Sequence, residues 1–459
     1  MQAKWLLVTI ATMFLVIACK PSQEMLPCKY ESGGSLAAKS ETLTTEIYVD
    51  GTPSMRGYVA TAGDSRYSQT LDLLDTIFTL TGSQSSEPQV KYYRLGTDPE
   101  EITRDDYLKT KEIEFYGGIN PKFPELPVSQ IETAITPINE KAKLTVIITD
   151  LYQKDTDITK VSQKIKQHYL NPEQKDQRLA VGILAIRSEF QGDIFTENNE
   201  INRITYNTEE KSSDQYHPFY VIFLGYYSDI SYYLGQIESQ GGDLTDGSQL
   251  LIFSPHHLVE AVSELKELPK LPTDRDIERT EALHNGQAFV EKNNQPVDLL
   301  DVGKSEEQEI KINNYNTPLT LLPYTLPIAP NDLKVNTNVK QLDRENNKFQ
   351  DPSNAEQLAT AVTTEDWKLI DNNDTISFSL NIQARALQPK EVYFFEIEAI
   401  AGDLGEPDWW EEWNATSKEI RDGSKTYNLL KFLRQLKALT TDKENPPVIG
   451  NFCYAIQRN

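Results

Sequence analysis

The run Lys143-Leu-Thr-Val-Ile-Ile-Thr-Asp150 constrains the fold more than any other stretch. It is apolar almost throughout and rich in β-branched residues, and it is too short for an ordinary helix. It therefore reads as a strand. A strand with no polar alternation must be covered on both faces. The stretch 179–186 has the same character. Two such strands call for a largely parallel sheet with helices on both sides.

The pattern around them agrees. Between 44 and 268 strands are expected at 45–49, 90–95, 112–115, 144–149, 179–186, 219–224 and 249–253. Helices are expected at 69–80, 129–140, 158–168, 229–238 and 257–268. That alternation predicts an α/β domain with a Rossmann-like, doubly wound sheet. The polar stretch 188–217 reads as a surface loop or hairpin inserted into it. Pro269, Pro272 and the charges around them mark 269–279 as a linker. From 280 to 459 the character changes. Short strands at 287–291, 309–312, 319–322, 333–336, 375–380 and 392–400 stand among Asn, Pro and Asp turns. This predicts a β-rich, sandwich-like domain. A terminal amphipathic helix over 425–439 is expected to pack against it.

In doubly wound sheets ligands bind beyond the carboxyl ends of the strands. Two aspartates sit there. Asp150 ends one strand and Asp50 ends another, Glu46-Ile-Tyr-Val-Asp50. Asp50-x-Thr52-x-Ser54 then places one carboxylate and two hydroxyls on alternate residues of a turn. Hard cations such as Mg²⁺ take oxygen ligands and keep open positions for water or an incoming group. The plainer reading of the same residues is a turn brace or helix cap.

Asp50-x-Thr52-x-Ser54-Met-x-Gly57 resembles the metal-ion-dependent adhesion site of von Willebrand factor type A (vWA) domains. That pattern has two further parts, a Thr opening a later helix and an Asp ending an apolar strand. Ser129-x-Ile131-x-x-Ala134-Ile135 is similar to the first, with Ser129 for Thr. The strand into Asp150 is similar to the second, with Leu151 where the family usually has glycine. The resemblance implies a binding protein and not an enzyme. It implies that Thr52, Ser54 and Ser129 contact a Mg²⁺, Mn²⁺ or Ca²⁺ ion directly. Asp50 and Asp150 would hold the ion mostly through water, and a protein partner would offer an acidic side chain to the open position.

The start of the chain points to the envelope. Lys4 precedes 14 uncharged residues, Trp5 to Ala18. That is too short for a bilayer span and right for a signal-peptide core. Val16-Ile17-Ala18-Cys19 resembles the lipobox of bacterial lipoproteins. The resemblance implies cleavage after residue 18, acyl chains on Cys19 and a location on the cell or outer membrane. Residues 19–43, with Ser32-Gly33-Gly34-Ser35, read as a flexible lipidated tether. Cys28 and Cys453 would remain for a disulfide in that oxidising space. The formal charge of −24 excludes a nucleic-acid partner, which needs clustered Lys and Arg.

Other constellations carry less. Asp408-Trp-Trp-Glu-Glu-Trp413 reads as a core plug in preference to a sugar platform. His256-His257 reads as a solvated helix start. Asp50-Gly-Thr52 resembles the nucleophile loop of haloacid-dehalogenase-like phosphatases. Such a Mg²⁺-dependent enzyme needs a general acid two residues on, where Thr52 stands.

Overall fold

A computed structural model describes residues 26–27 and 38–458, apart from 62, 82–88, 139–141, 153–157, 172, 174–175, 177, 196–202, 265–277, 282, 285–286, 289, 293–294, 303–308, 330–332, 347, 371–373, 417–418, 420 and 442–446. The expected signal peptide, Cys19, Cys28 and most of the linker lie outside the described residues.

The first half is α/β. Its strands are β1 (Thr44–Asp50), β2 (Gln89–Leu95), β3 (Pro99–Ile102), β4 (Lys143–Thr149) and β5 (Leu179–Ser188). A hairpin of β6 (Gln191–Phe195) and β7 (Arg203–Asn207) follows, then β8 (His217–Tyr226) and β9 (Gln249–Phe253). Its longer helices are α1 (Arg66–Thr81), α2 (Thr159–His168) and α3 (Tyr227–Gly241). All strands but the hairpin join one sheet in the order β9-β5-β8-β4-β1-β2-β3.

The expected doubly wound parallel sheet is corrected here. β1 is parallel to β2 and β4, but β8 lies antiparallel between β4 and β5, and β3 and β9 are antiparallel edges. The reason is the connection. Among the described residues no crossover helix separates β5 from β8. The 188–217 insertion forms a surface hairpin and returns the chain directly, so Ser188 pairs with His217. A return of that kind can only make an antiparallel neighbour.

Both faces of the sheet are covered, as the apolar runs require. Ile47, Val49 and Ile148 pack with Leu71 and Leu74 of α1 and Ile230 and Leu234 of α3. Tyr48, Ile147 and Val181 pack on the other side with Val161 and Ile165 of α2.

In the second half β10 (Glu278–Glu281), β11 (Asp298–Asp301), β12 (Glu309–Pro318), β13 (Leu333–Asp343), β14 (Lys348–Gln350), β15 (Val362–Ile370), β16 (Thr375–Gln383), β17 (Val392–Ala401) and β18 (Val448–Gln457) carry the structure. One sheet has the path β10-β11-β18-β17-β13-β14, and Ser263–Glu264 also pairs with β18. A second sheet has the order β12-β16-β15. Rings join the two: Phe378 lies 4.8 Å from Phe452, and Tyr315 6.3 Å from Tyr454.

The terminal helix α4 (Leu429–Thr440) buries Leu429, Phe432, Leu433 and Leu436, a helical stripe. Each such side chain contributes about 1.5–3 kcal/mol when fully buried. Contrary to expectation, the stripe turns to the first half, packing on α2 and β9. The Ser162 hydroxyl of α2 donates to Gln435 at 2.7 Å. Trp409, Trp410 and Trp413 are buried in the same cluster, so this patch is a plug. One apolar cluster therefore runs through both halves.

Five local expectations fail. Residues 112–115 are not a strand, because Ile113–Gly117 is helical with Phe115 and Tyr116 buried and Gly118 capping at φ +66°. The helix expected at 129–140 shrinks to a 3-10 turn, Ile131–Ala134, since Pro137 disfavours helix before it. No helix forms over the described residues of 257–268. There the Glu260 amide is taken by Thr320 and Leu258 accepts from Leu322. Residues 319–322 give only an isolated bridge at Leu321. The segment expected as a free tether is held at two places. Leu26–Pro27 pairs with Val290–Glu291, and Ser40 bonds Asp229.

Candidate metal centre

β1 and β4 are adjacent and parallel, so Asp50 and Asp150 arrive at the same end of the sheet. Both are buried. After Asp50 the chain turns at Gly51, whose amide donates to the Leu95 carbonyl at 2.9 Å. A 3-10 helix, Pro53–Tyr58, follows, with proline at its start. Thr52 stands in the N-cap position, but its hydroxyl makes no cap bond. It donates to Asp50 Oδ1 at 2.7 Å instead, beside the Thr52 amide at 3.1 Å. Ser54 Oγ is 3.1 Å from Thr52 Oγ1. The hydroxyls of the motif thus turn toward the carboxylates and away from capping.

The third loop arrives through β2, since Gln130 donates its amide to Gly96 at 2.9 Å. Ser129 is 2 % exposed, and its hydroxyl has no hydrogen-bond partner among the described residues. It lies close enough to Asp50 for its dipole to favour the aspartate anion. Asp150 Oδ1 accepts the Tyr152 amide at 2.9 Å. The structure therefore brings Asp50, Thr52, Ser54, Ser129 and Asp150 to one point. Leu151 takes φ +64°, the left-handed region that glycine favours.

The electrostatics are those of a site short of positive charge. Burial raises the Asp50 pKa, opposed by bonds from Thr52 and Thr149. Burial first, and the Asp50 charge second, push Asp150 up to about 7. Neither carboxylate makes an ion pair among the described residues. Two buried carboxylates and three hydroxyls, one of them the orphaned Ser129 oxygen, form an all-oxygen donor set. That set fits a hard divalent cation and not a soft one.

Two contributors were not evident from the sequence. Thr149 Oγ1 donates to Asp50 Oδ2 at 2.9 Å and accepts the Leu151 amide at 3.1 Å. Arg94 is buried in β2, with Nη2 donating to the carbonyls of Phe115 at 2.9 Å and Pro124 at 2.7 Å. It holds the loop that leads to Ser129, and a Cβ on Gly51 would sit 2.7 Å from its Cγ. Arg94 shares the inward parity of buried Tyr92, and a charged residue at an inward position is the signal that marks it.

The β6–β7 hairpin leans over the motif. Gly57 and Gly192 allow the approach: a Cβ on Gly192 would lie 3.0 Å from Gly57 Cα, and one on Gly57 would strike the Phe190 ring. Between hairpin and motif lies a cleft of about 910 Å³, with Thr52, Ser54 and Ser129 at its base and Arg56, Leu126 and Phe195 on its walls. Asp150 faces a smaller cavity of about 50 Å³, shared with 422–429 of the second half. His217 closes this seam. Its Nδ1 is 2.6 Å from the Gly423 carbonyl, and burial pushes it down to about 4.

Among the other sequence candidates, His257 is no solvated helix start. It stacks on Tyr227 at 5.1 Å, sits 3.1 Å from Ser254 Oγ, and is pushed down to about 4 by burial. Cys453 is disulfide-bonded, and its partner lies outside the described residues. Cys19 and Cys28 are outside them too. No protein-family model matches this chain, and no curated protein is similar enough to count as a relative.

Proposed function

We propose that the chain is an envelope lipoprotein whose first half is a vWA-like domain that binds a protein partner through a metal ion. The observation that carries this reading is the buried Ser129 hydroxyl, which faces Asp50 without a well-formed hydrogen bond, beside two carboxylates that no Lys or Arg pairs among the described residues. A buried hydroxyl without a partner costs about 1–3 kcal/mol, and a bound cation removes that cost. Thr52, Ser54 and Ser129 would hold Mg²⁺ or Mn²⁺, with Asp50 and Asp150 supplying charge. The ion would supply an electrophilic position for a partner carboxylate. The cleft beside it admits a protruding side chain and its neighbours. Lipid on Cys19 would anchor the protein, and the second half would be a sandwich-like support.

The reading is one of binding, not turnover. Both Asp50 oxygens already accept hydrogen bonds, and Thr52 occupies the place of a general acid. Those same bonds favour a second reading, a metal-free interaction scaffold in which Thr52 and Thr149 satisfy Asp50 without an ion. Capture of envelope proteins on the immobilised chain separates the two. A partner retained in Mg²⁺ and released by chelator supports the metal-bridged reading. A partner retained equally in both conditions supports the scaffold.

A further inference from the structure

The second half reaches the site end of the sheet through 413–415 and 422–429. β8 begins beside the end of β4, where Tyr220 pairs with Thr149, and beside the end of β5, where His217 pairs with Ser188. His217 Nδ1 lies 2.6 Å from the Gly423 carbonyl, and the Tyr220 hydroxyl donates to Thr426 Oγ1 at 2.9 Å. The Arg187 guanidinium, next to Ser188 in β5, stands 4.4 Å from the Trp413 ring centroid. The two stretches are knit to each other. Asn414–Ala415 pairs with Thr426–Tyr427, and the Thr426 amide donates to the Trp413 carbonyl at 2.8 Å. They therefore dock as one formed piece, beside Asp150.

The same piece touches the hairpin that leans over the metal loops. A Cβ on Gly423 would lie 2.4 Å from the Tyr206 ring, so the backbone there runs directly against the ring. Tyr206 of β7 is the cross-strand partner of Gly192 in β6. Gly192 abuts the motif, since a Cβ on it would come within 3.0 Å of Gly57 Cα. At the other end of β6, Phe195 stacks on Tyr152 at 5.6 Å, and the Tyr152 amide donates to Asp150. One line of contact thus runs from Gly423 through Tyr206 and Gly192 to the turn after Asp50. A second runs from the hairpin through Tyr152 to Asp150. Close-packed contacts of this kind are stiff and pass a displacement on.

We propose that 422–429 sets the position of the hairpin over the metal loops, so that docking of the second half and occupation of the metal site are coupled. Tyr206 is then a positioning residue. It belongs neither to the set Asp50, Thr52, Ser54, Ser129 and Asp150 nor to the lining of the cleft. Such coupling is reciprocal: what the second half does to metal affinity, the metal does to the seam. The second half is on this account part of the binding site and not only its support. The inference rests on the metal-site reading of those five residues.

The test is hydrogen exchange, read by mass spectrometry on the full-length chain in chelator and in saturating Mn²⁺, with calorimetric titration of Mn²⁺ alongside. In wild type Mn²⁺ is expected to slow the amides of 422–429 by about fivefold or more, the lower end of usual coupling, and to leave β17 unchanged. Tyr206→Ala removes the ring between Gly423 and Gly192. It should weaken Mn²⁺ binding by a similar factor and abolish the slowing at 422–429. Tyr206→Phe keeps the ring, loses only the bond to the Gln215 carbonyl, and should behave as wild type. Gly423→Val drives a side chain into the ring and should act like Tyr206→Ala, which adds no bulk and carries the test should the valine variant not fold. Wild type that binds Mn²⁺ with unchanged exchange at 422–429 overturns the coupling and leaves the metal site standing. So does a Tyr206→Ala variant with wild-type Mn²⁺ affinity. Wild type that takes up no Mn²⁺ overturns both.

Discussion

Thr149 Oγ1 donates to Asp50 Oδ2 at 2.9 Å, across the ends of two neighbouring parallel strands. The same oxygen accepts the Leu151 amide at 3.1 Å. One hydroxyl thus fixes the first carboxylate of the site and the left-handed turn behind the second. Thr149→Val keeps the shape and removes both bonds. We expect it to cost about 1–3 kcal/mol, since a buried acceptor loses its donor. The urea midpoint should fall with an unchanged slope. An unaltered midpoint would mean that Thr149 does not brace the site.

Ser129→Ala should behave in the opposite way without metal. Removing a buried hydroxyl that has no partner is expected to leave metal-free stability unchanged or raise it by up to about 1 kcal/mol. Metal affinity should fall about tenfold or more, the scale on which even outer-shell losses act. Thermal melts with chelator and with Mn²⁺ read both effects. A clear loss of stability in chelator would contradict the account of Ser129.

Arg94→Met tests how the third loop is held. The carbonyls of Phe115 and Pro124 lose their donor, and we expect a cost of about 2–4 kcal/mol. The variant should bind Mn²⁺ more weakly although Arg94 touches none of the metal-binding residues. Proteolysis in the 113–130 region should speed up. Unchanged protection there would exclude the bracing role.

The seam between the halves predicts an acid limit. Burial lowers His217 and His257 from an ordinary value of 6.5 to about 4. A folded-state pKa below the unfolded one means the unfolded chain binds the proton first. This stability is present above pH 6.5 and is lost as pH falls toward 4. For fully buried His217 the loss approaches about 3 kcal/mol. His217→Gln should flatten that part of the stability curve. A curve as steep as wild type would show that another group titrates there.

Much of the site was legible in the sequence because it depends on short-range facts. An apolar run ending in aspartate fixes both strand and carboxylate, so Asp50 and Asp150 could be placed from their neighbours alone. Strand direction could not. The run at 219–224 is as apolar as a parallel strand, and nothing in it records that β8 returns beside β5. The 129–140 stretch has helical spacing, but Pro137 outweighs it. Thr149 looked like one more β-branched residue of a strand. Its bond to Asp50 exists only once β1 and β4 lie side by side.

The most direct test of the metal site is calorimetric titration of Mn²⁺ into the chelator-treated full-length chain and into its Asp150→Asn variant. The account predicts saturable binding by wild type and loss of it in the variant. It also predicts a higher metal-free melting temperature for Asp150→Asn, because a buried carboxylate without a cation is gone. No heat and no thermal shift for wild type at millimolar Mn²⁺ would contradict the metal site and leave the metal-free scaffold in its place.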